Sequence, residues 1–453
     1  MKKSSLVRFF PVVVVLLIAA PVFSGIAQLT MPNDYATLVS VNSSGNLGNN
    51  NSWNPAISAD GNHVAFVSSA TNLIPIDNNG NTDVFLRNLS TGYTAIISVS
   101  SSGSQGYSPS DYPAISADGR YVTFCSLADN LVQNDNNNEA DVFLGDTKTG
   151  LTMLISKNSA GEQGDDASLY PAISADGRYI AFTSFASNLV PVDINGSADV
   201  FLHDTQTGVT SLVSKDSSGS QGNGDSGYPS ISADGRYVVF MSVADNLTLS
   251  DSNGMADIFL HDVLTGKTSI ITQGNGHSGQ ASISADGRYV AFASNSDNLA
   301  PGDANGYTAD VFVYDRQTAQ TEMITHGSRH SMYPKISGDG RYVAYQCPIT
   351  NLTACEGLAC SNAVAVYDRK TGSTTLLSVL SAEIPGLGDS FSPSISADGH
   401  RIVFCSQASN LAYNDYNGAA DIILRETPPE ETAKEVDSGD GSGGGGCFIR
   451  AIF

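Results

Sequence analysis

Short apolar runs, each set off by turn-forming residues, return along the whole chain. In Pro171 to Phe182, reading Pro-Ala-Ile-Ser-Ala-Asp-Gly-Arg-Tyr-Ile-Ala-Phe, two such runs flank an Asp-Gly pair. This pattern predicts a β-hairpin, because glycine accepts the positive φ that a tight turn demands. Close copies put turn aspartates at Asp60, Asp118, Asp176, Asp234, Asp286, Asp339 and Asp398, and their near-constant spacing marks a repeat architecture. Each full repeat holds four strand candidates, in one copy Pro171 to Ser174, Tyr179 to Ser184, Asp199 to Asp204 and Val209 to Ser214, called a, b, c and d below. Val, Ile, Phe, Tyr and Thr dominate them and no 3.6-residue stripe appears, which excludes an α-solenoid.

The a–b and c–d connections are short, as antiparallel neighbours require. Seven such units predict an all-β fold, a single seven-bladed β-propeller of four-stranded antiparallel blades, because stacking the blades radially buries both faces of every sheet. The last repeat, Pro393 to Arg425, supplies a, b and c without d, while Tyr35 to Val41 is a d strand with no preceding c. Pairing them closes the ring through the N-terminal strand. All a–b and c–d turns then share one face, and the longer, more varied b–c and d–a loops share the other.

Outside the ring the pattern changes. Met1-Lys2-Lys3 and Arg8 precede an apolar run from Phe9 to Ala20, and Gly25 and Ala27 suit a signal peptidase site, so residues 1–27 are expected to be a signal peptide, cleaved before Gln28. The propeller is assigned to 28–425. Residues 426–453 form an acidic, Gly-rich tail ending in a Cys-Phe-Ile motif at Cys447, expected to be disordered. Export follows, to the periplasm, cell surface or extracellular space, with no stable membrane span after cleavage. The net charge of −23 repels phosphate backbones and argues against nucleic acid as a partner. Cys125 and Cys405 sit at equivalent hairpin positions and read as buried apolar residues, whereas Cys355 and Cys360 flank a loop that an exported chain can close as a disulfide.

The run Tyr170-Pro-Ala-Ile-Ser-Ala-Asp-Gly-Arg-Tyr, with Asn188-Leu-Val and Asp199-Val-Phe-Leu-His-Asp204, resembles the TolB-type, WD-like propeller repeat of exported bacterial proteins. The resemblance covers about residues 35 to 425 and implies a propeller and, by analogy, protein interaction in the periplasm or at the cell surface. The chain departs from TolB itself in having seven repeats rather than six, so TolB's own partners are not carried over.

Between strands b and c most repeats carry Asp-x-Asn-Gly and then a second Asp: Asp77, Asn79 and Asp83; Asp193, Asn195 and Asp199; Asp251, Asn253 and Asp257; Asp415, Asn417 and Asp421. Asp135, Asn137 and Asp141 fit with Asn138 in place of glycine, and Asp303, Asn305 and Asp310 fit with one extra residue. Oxygen ligands two residues apart before a glycine turn resemble half of a calcium loop, so calcium is the one candidate cofactor. The same side chains also serve as turn caps bonded to backbone. The Asn-Leu pair present in every repeat reads as a turn bond plus a leucine plug. Gly224-Asp-Ser-Gly227 matches a protease nucleophile segment only by chance, and His277, His326 and His330 share a loop face without a defined ligand set. With one tryptophan, Trp53, to stack on sugars, and no catalytic cluster above the repeat background, the expectation is a non-enzymatic scaffold. Its partner is an envelope or extracellular protein, or a glycan, bound on the b–c and d–a loop face. The alternatives are a propeller lyase or glycosidase acting on polysaccharide, and a calcium-stabilised surface structural protein or adhesin.

Overall fold

The computed structural model describes residues 36–303, 305–352, 362–381 and 384–427. The expected leader, the Cys355–Cys360 loop and nearly all of the tail lie outside them. The described residues form seven four-stranded antiparallel sheets, numbered here as blades 1 to 7 from the chain's first complete sheet. Blade 3 is representative, with strands Ser168–Ile173, Tyr179–Ser184, Asp199–Asp204 and Val209–Leu212 from the inside outward. Among the described residues the one helical turn is a 3-10 segment, Ile349–Asn351, in blade 6.

Seven hydrophobic clusters occupy the seven gaps between neighbouring blades. Cys125, Val142 and Leu144 of blade 2, for example, pack on Ile180, Phe182 and Phe201 of blade 3. Strands b and c are apolar on both faces because each blade has a neighbour on either side, and this is why they read as continuous runs rather than alternating ones. Phe182 pairs with Phe201 across the sheet at 6.0 Å between ring centroids, and four other blades stack phenylalanines in the same way.

The ring closes as the orphan strand predicts. Thr37–Leu38 pairs antiparallel with Asp421–Glu426 and completes blade 7. The ladder is shorter than Tyr35 to Val41, because Val41 turns away to bridge Leu47. Ser40 extends the seam. Its hydroxyl donates to Asp421 Oδ1 at 2.5 Å and accepts the Ile422 N–H at 3.0 Å, both inside the protein. A seventh cluster, with Val39, Val403 and Ile422 against Val64, Phe66 and Phe85, packs blade 7 on blade 1.

The repeated Ser-Ala-Asp-Gly turn holds itself and its neighbours. Ser174 Oγ donates to Asp176 Oδ1 at 2.6 Å, and Asp176 in turn accepts the Arg178 N–H at 3.0 Å. Gly177 is left-handed at φ +76°, and a Cβ there would lie 2.2 Å from the Tyr121 ring of the preceding blade, so the turn needs glycine twice over. A backbone bond joins each turn to the next, from Ala117 N to Ala175 O and onward around the ring until Ala397 N reaches Ala59 O at 3.0 Å. In five blades an arginine after the turn, such as Arg178, grips the c-strand aspartate with two bonds, here to Asp204 at 2.9 and 2.7 Å.

Candidate binding site in the central channel

Each innermost strand carries one β-bulge, in blade 3 between Leu169 and Ala172. The bulged residue has positive φ without being glycine in all seven blades: Asn54, Tyr112, Tyr170, Tyr228, Gln280, Tyr333 and Ser392, at 47 to 56°. Proline follows it in six of them and Ala281 in blade 5. Proline fits because its missing N–H is not needed where the ladder is interrupted. A left-handed conformation costs roughly 1–2 kcal/mol at each non-glycine residue, so the strain is concentrated along one wall. That wall lines a cavity of about 1080 Å³ at the centre of the ring.

Four of the seven bulged residues are tyrosines, three of them in consecutive blades. Tyr112 meets Tyr170 edge-on at 4.6 Å between centroids, and Tyr170 meets Tyr228 at 4.4 Å, so they form a continuous arc. Tyr112, Tyr228 and Tyr333 are 38 to 47% exposed, so part of each side chain is open to a ligand. Burial raises the pKa of the Tyr112 and Tyr170 hydroxyls, and the bond to Tyr170 raises that of Tyr228, so the arc stays neutral and can donate. Amides complete the rim. Asn54 Nδ2 donates to Asp111 Oδ1 at 2.7 Å, and Gln280 Oε1 accepts the Tyr333 N–H at 2.7 Å.

Two residues past the bulge, the seven strands carry Ala56, Ala114, Ala172, Ser230, Ser282, Lys335 and Ser394. The serines accept an N–H from the next blade, as Ser394 does from Ile57 at 3.2 Å. Lys335 differs from all of them. It is an exposed cation on the wall of the cavity, and among the described residues no hydrogen bond or ion pair reaches its ammonium group. Enclosure by the ring lowers its pKa from the ordinary lysine value, although water in the channel still reaches it. In a chain of net charge −23, this places an uncompensated positive charge where a ligand entering the channel would meet it.

The Asp-x-Asn-Gly residues lie on the b–c loops, away from this wall. In five of them the asparagine amide points inward as a donor. Asn79, Asn195, Asn253, Asn305 and Asn417 each bond the second aspartate, Asp83, Asp199, Asp257, Asp310 or Asp421, at 2.7 to 2.8 Å. Asn137 donates to Gly164 O at 3.0 Å, as the other five do to the equivalent glycine, and its amide also lies against Asp141. The first aspartates divide. Asp135 and Asp193 each accept a glutamine amide, whereas Asp77, Asp251, Asp303 and Asp415 keep a buried oxygen without a partner. Among the described residues no three His, Cys, Asp or Glu side chains converge.

Other candidates are absorbed by the scaffold. His277 and His330 each accept a loop N–H, from Ala256 and Ala309. Ser226 of the Gly-Asp-Ser-Gly segment is buried against Ser242. Each Asn-Leu pair braces a d–a loop, as Asn72 does by donating to Leu47 O at 2.8 Å above the buried Leu73. Trp53 packs against the clusters on both sides of blade 1, so the aromatic surface of the channel is tyrosine, which counting tryptophans overlooked. The cue was present in the repeat alignment, where one lysine stands at a position otherwise held by alanine or serine.

No protein-family model matches the sequence, and no curated protein matches it. Solved structures do. An oligogalacturonate lyase from Vibrio parahaemolyticus aligns over 88% of this chain and 93% of its own, at TM-score 0.51 and 15% identity. The β-propeller domain of the Trilobed protease from Pyrococcus furiosus aligns over 83% and 95%, at TM-score 0.50 and 12% identity. TolB from Acinetobacter baumannii aligns over 71% and 62%, at TM-score 0.40 and 16% identity, which adds nothing to the argument. Identities this low establish the propeller fold and leave the TolB-type assignment at that level. The likeness to a lyase also corrects the expectation that this chain is not an enzyme, since propellers of this build include one. The physical reason is general. Channel-wall residues come one per blade from distant repeats, so a catalytic group in a propeller leaves no contiguous motif in the sequence.

Proposed function

We propose that the central channel binds an acidic oligosaccharide, with Lys335 reading its carboxylate and the arc of Tyr112, Tyr170 and Tyr228 stacking on its sugar rings. The observation that carries this reading is the unpaired ammonium of Lys335 inside a cavity walled by aromatic rings. The volume of about 1080 Å³ lies just above the roughly 300–1,000 Å³ usual for small-ligand sites, which favours an oligomer over a single sugar. The tyrosine arc lies toward the d–a loop end of the channel, the face on which ligand binding is expected. The leader pattern supports export, which would bring such a ligand within reach. Among the described residues no helix is long and apolar enough to cross a membrane.

An array of uronate-bearing and neutral oligosaccharides, with acidic peptides as competitors, tests the reading. Wild type is expected to retain uronate oligomers and release them in high salt. Lys335→Met removes a charge-assisted contact of about 1.5–3 kcal/mol, so affinity should fall by roughly 10- to 150-fold. Retention of neutral sugars alone, or unchanged affinity in K335M, would refute it. An unsaturated uronate product accumulating during the assay would identify the ligand as a substrate.

A further inference from the structure

The b–c loops hold a second feature that the channel does not explain. The residue before the glycine that each loop asparagine bonds is Gln105, Gln163, Gln221 or Gln273 in blades 1 to 4, His326 in blade 5, and Leu47 in blade 7. In blades 2 and 3 this glutamine fills the space between the two aspartates. Gln163 Nε2 donates to Asp135 Oδ1 and Asp141 Oδ2, both at 2.7 Å, and Gln221 Nε2 to Asp193 Oδ1 and Asp199 Oδ2 at 2.7 and 2.8 Å. That space therefore takes one electropositive group in contact with two carboxylates.

Blade 7 keeps the carboxylates and lacks the donor. Asp421 is fully buried and Asp415 is 9% exposed, and the enclosed Oδ1 of Asp415 has no hydrogen-bond partner. Leu47 offers nothing to it. The negative charge of Asp421 acts on Asp415, and a buried anionic oxygen close to a second buried carboxylate is costly unless something positive lies between them. Oxygen ligands select a hard cation, and two carboxylates with water completing the shell suit calcium or magnesium rather than a transition metal.

We propose that the space between Asp415 and Asp421 binds one hard divalent cation of the calcium class, in the place that a glutamine amide takes in blades 2 and 3. Asp421 also holds Ser40 of the N-terminal strand, so the ion sits at the seam of the ring and ties its closure to cation supply.

The test uses the full chain, stripped with chelator and titrated with calcium chloride alone. Three forms are compared: wild type, Asp415→Asn, and Leu47→Gln, which installs the donor of blades 2 and 3. Wild type should melt a few degrees higher in millimolar calcium than in chelator. Calorimetric stoichiometry should fall by one ion in both variants, and Leu47→Gln in chelator should melt above wild type in chelator. A wild-type melt indifferent to calcium, or a stoichiometry unchanged in either variant, overturns the proposal. Loss of oligosaccharide binding would leave these readouts untouched, so the two readings fail separately.

Discussion

Replacing Ser40 with alanine probes ring closure at one hydroxyl. Ser40 Oγ donates to the buried Asp421 at 2.5 Å and accepts from the Ile422 N–H at 3.0 Å, although the partners are more than 380 residues apart in sequence. Loss of a hydrogen bond to a charged acceptor costs about 1.5–3 kcal/mol, and a buried N–H left unpaired about 1–3 kcal/mol more. Partial protonation of Asp421 recovers some of this, so a net loss of about 3 kcal/mol is expected. The repeat supplies an internal standard. Ser98 makes the same two bonds within blade 1, to Asp83 at 2.6 Å and from Val84 at 3.1 Å, with equal burial and short sequence separation. If the ends are joined as described, Ser40→Ala and Ser98→Ala should lower the melting temperature by similar amounts. For a chain of this length the shift is roughly 1 °C per kcal/mol. Differential scanning calorimetry in chelator gives both values under one condition. A normal loss for Ser98→Ala with a negligible one for Ser40→Ala would show that the terminal strand is not part of the folded ring.

Two further outcomes follow from the buried carboxyls and the turn glycines. Desolvation pushes Asp83 and Asp141 up to about 6, so their neutral forms fit the fold better and stability falls as pH rises from the unfolded value of 3.8 through 6. Bonds from arginine hold Asp146, Asp204, Asp262 and Asp315 down at about 2, and their contribution is lost only as pH drops below 3.8. Chelator-treated protein should therefore melt highest near about pH 4, and a higher melting temperature at pH 7.5 would contradict this. Gly150→Ala meets open space at φ +73° and should cost about 1–2 kcal/mol from backbone alone, whereas Gly177→Ala also drives a Cβ to 2.2 Å from Tyr121. The second should lose about 1–3 kcal/mol more in urea unfolding, and equal losses would refute the interblade contact.

The fold was legible because its determinants are local and repeated. Ser174, Asp176 and Gly177 form one turn within four residues, so each copy announces the same hairpin. Closure was legible because one strand was missing and another had no partner. The channel was not legible, because Tyr112, Tyr170 and Tyr228 meet only through ring curvature, and their projection depends on a bulge that neither periodicity nor propensity encodes. The loop carboxylates were found in sequence, but their partners were not. Whether Gln163 or Leu47 faces the pair depends on which d–a loop lies beside it, and the asparagines expected as ligands instead donate their amides.

Diffraction from crystals soaked with a uronate trisaccharide tests the channel most directly. The predicted result is density inside the ring, with a carboxylate within hydrogen-bond distance of Lys335 Nζ and a sugar ring against Tyr112 or Tyr228, the exposed ends of the arc. Density confined to the outer surface, or density in the channel that persists unchanged in Lys335→Met crystals, would contradict it.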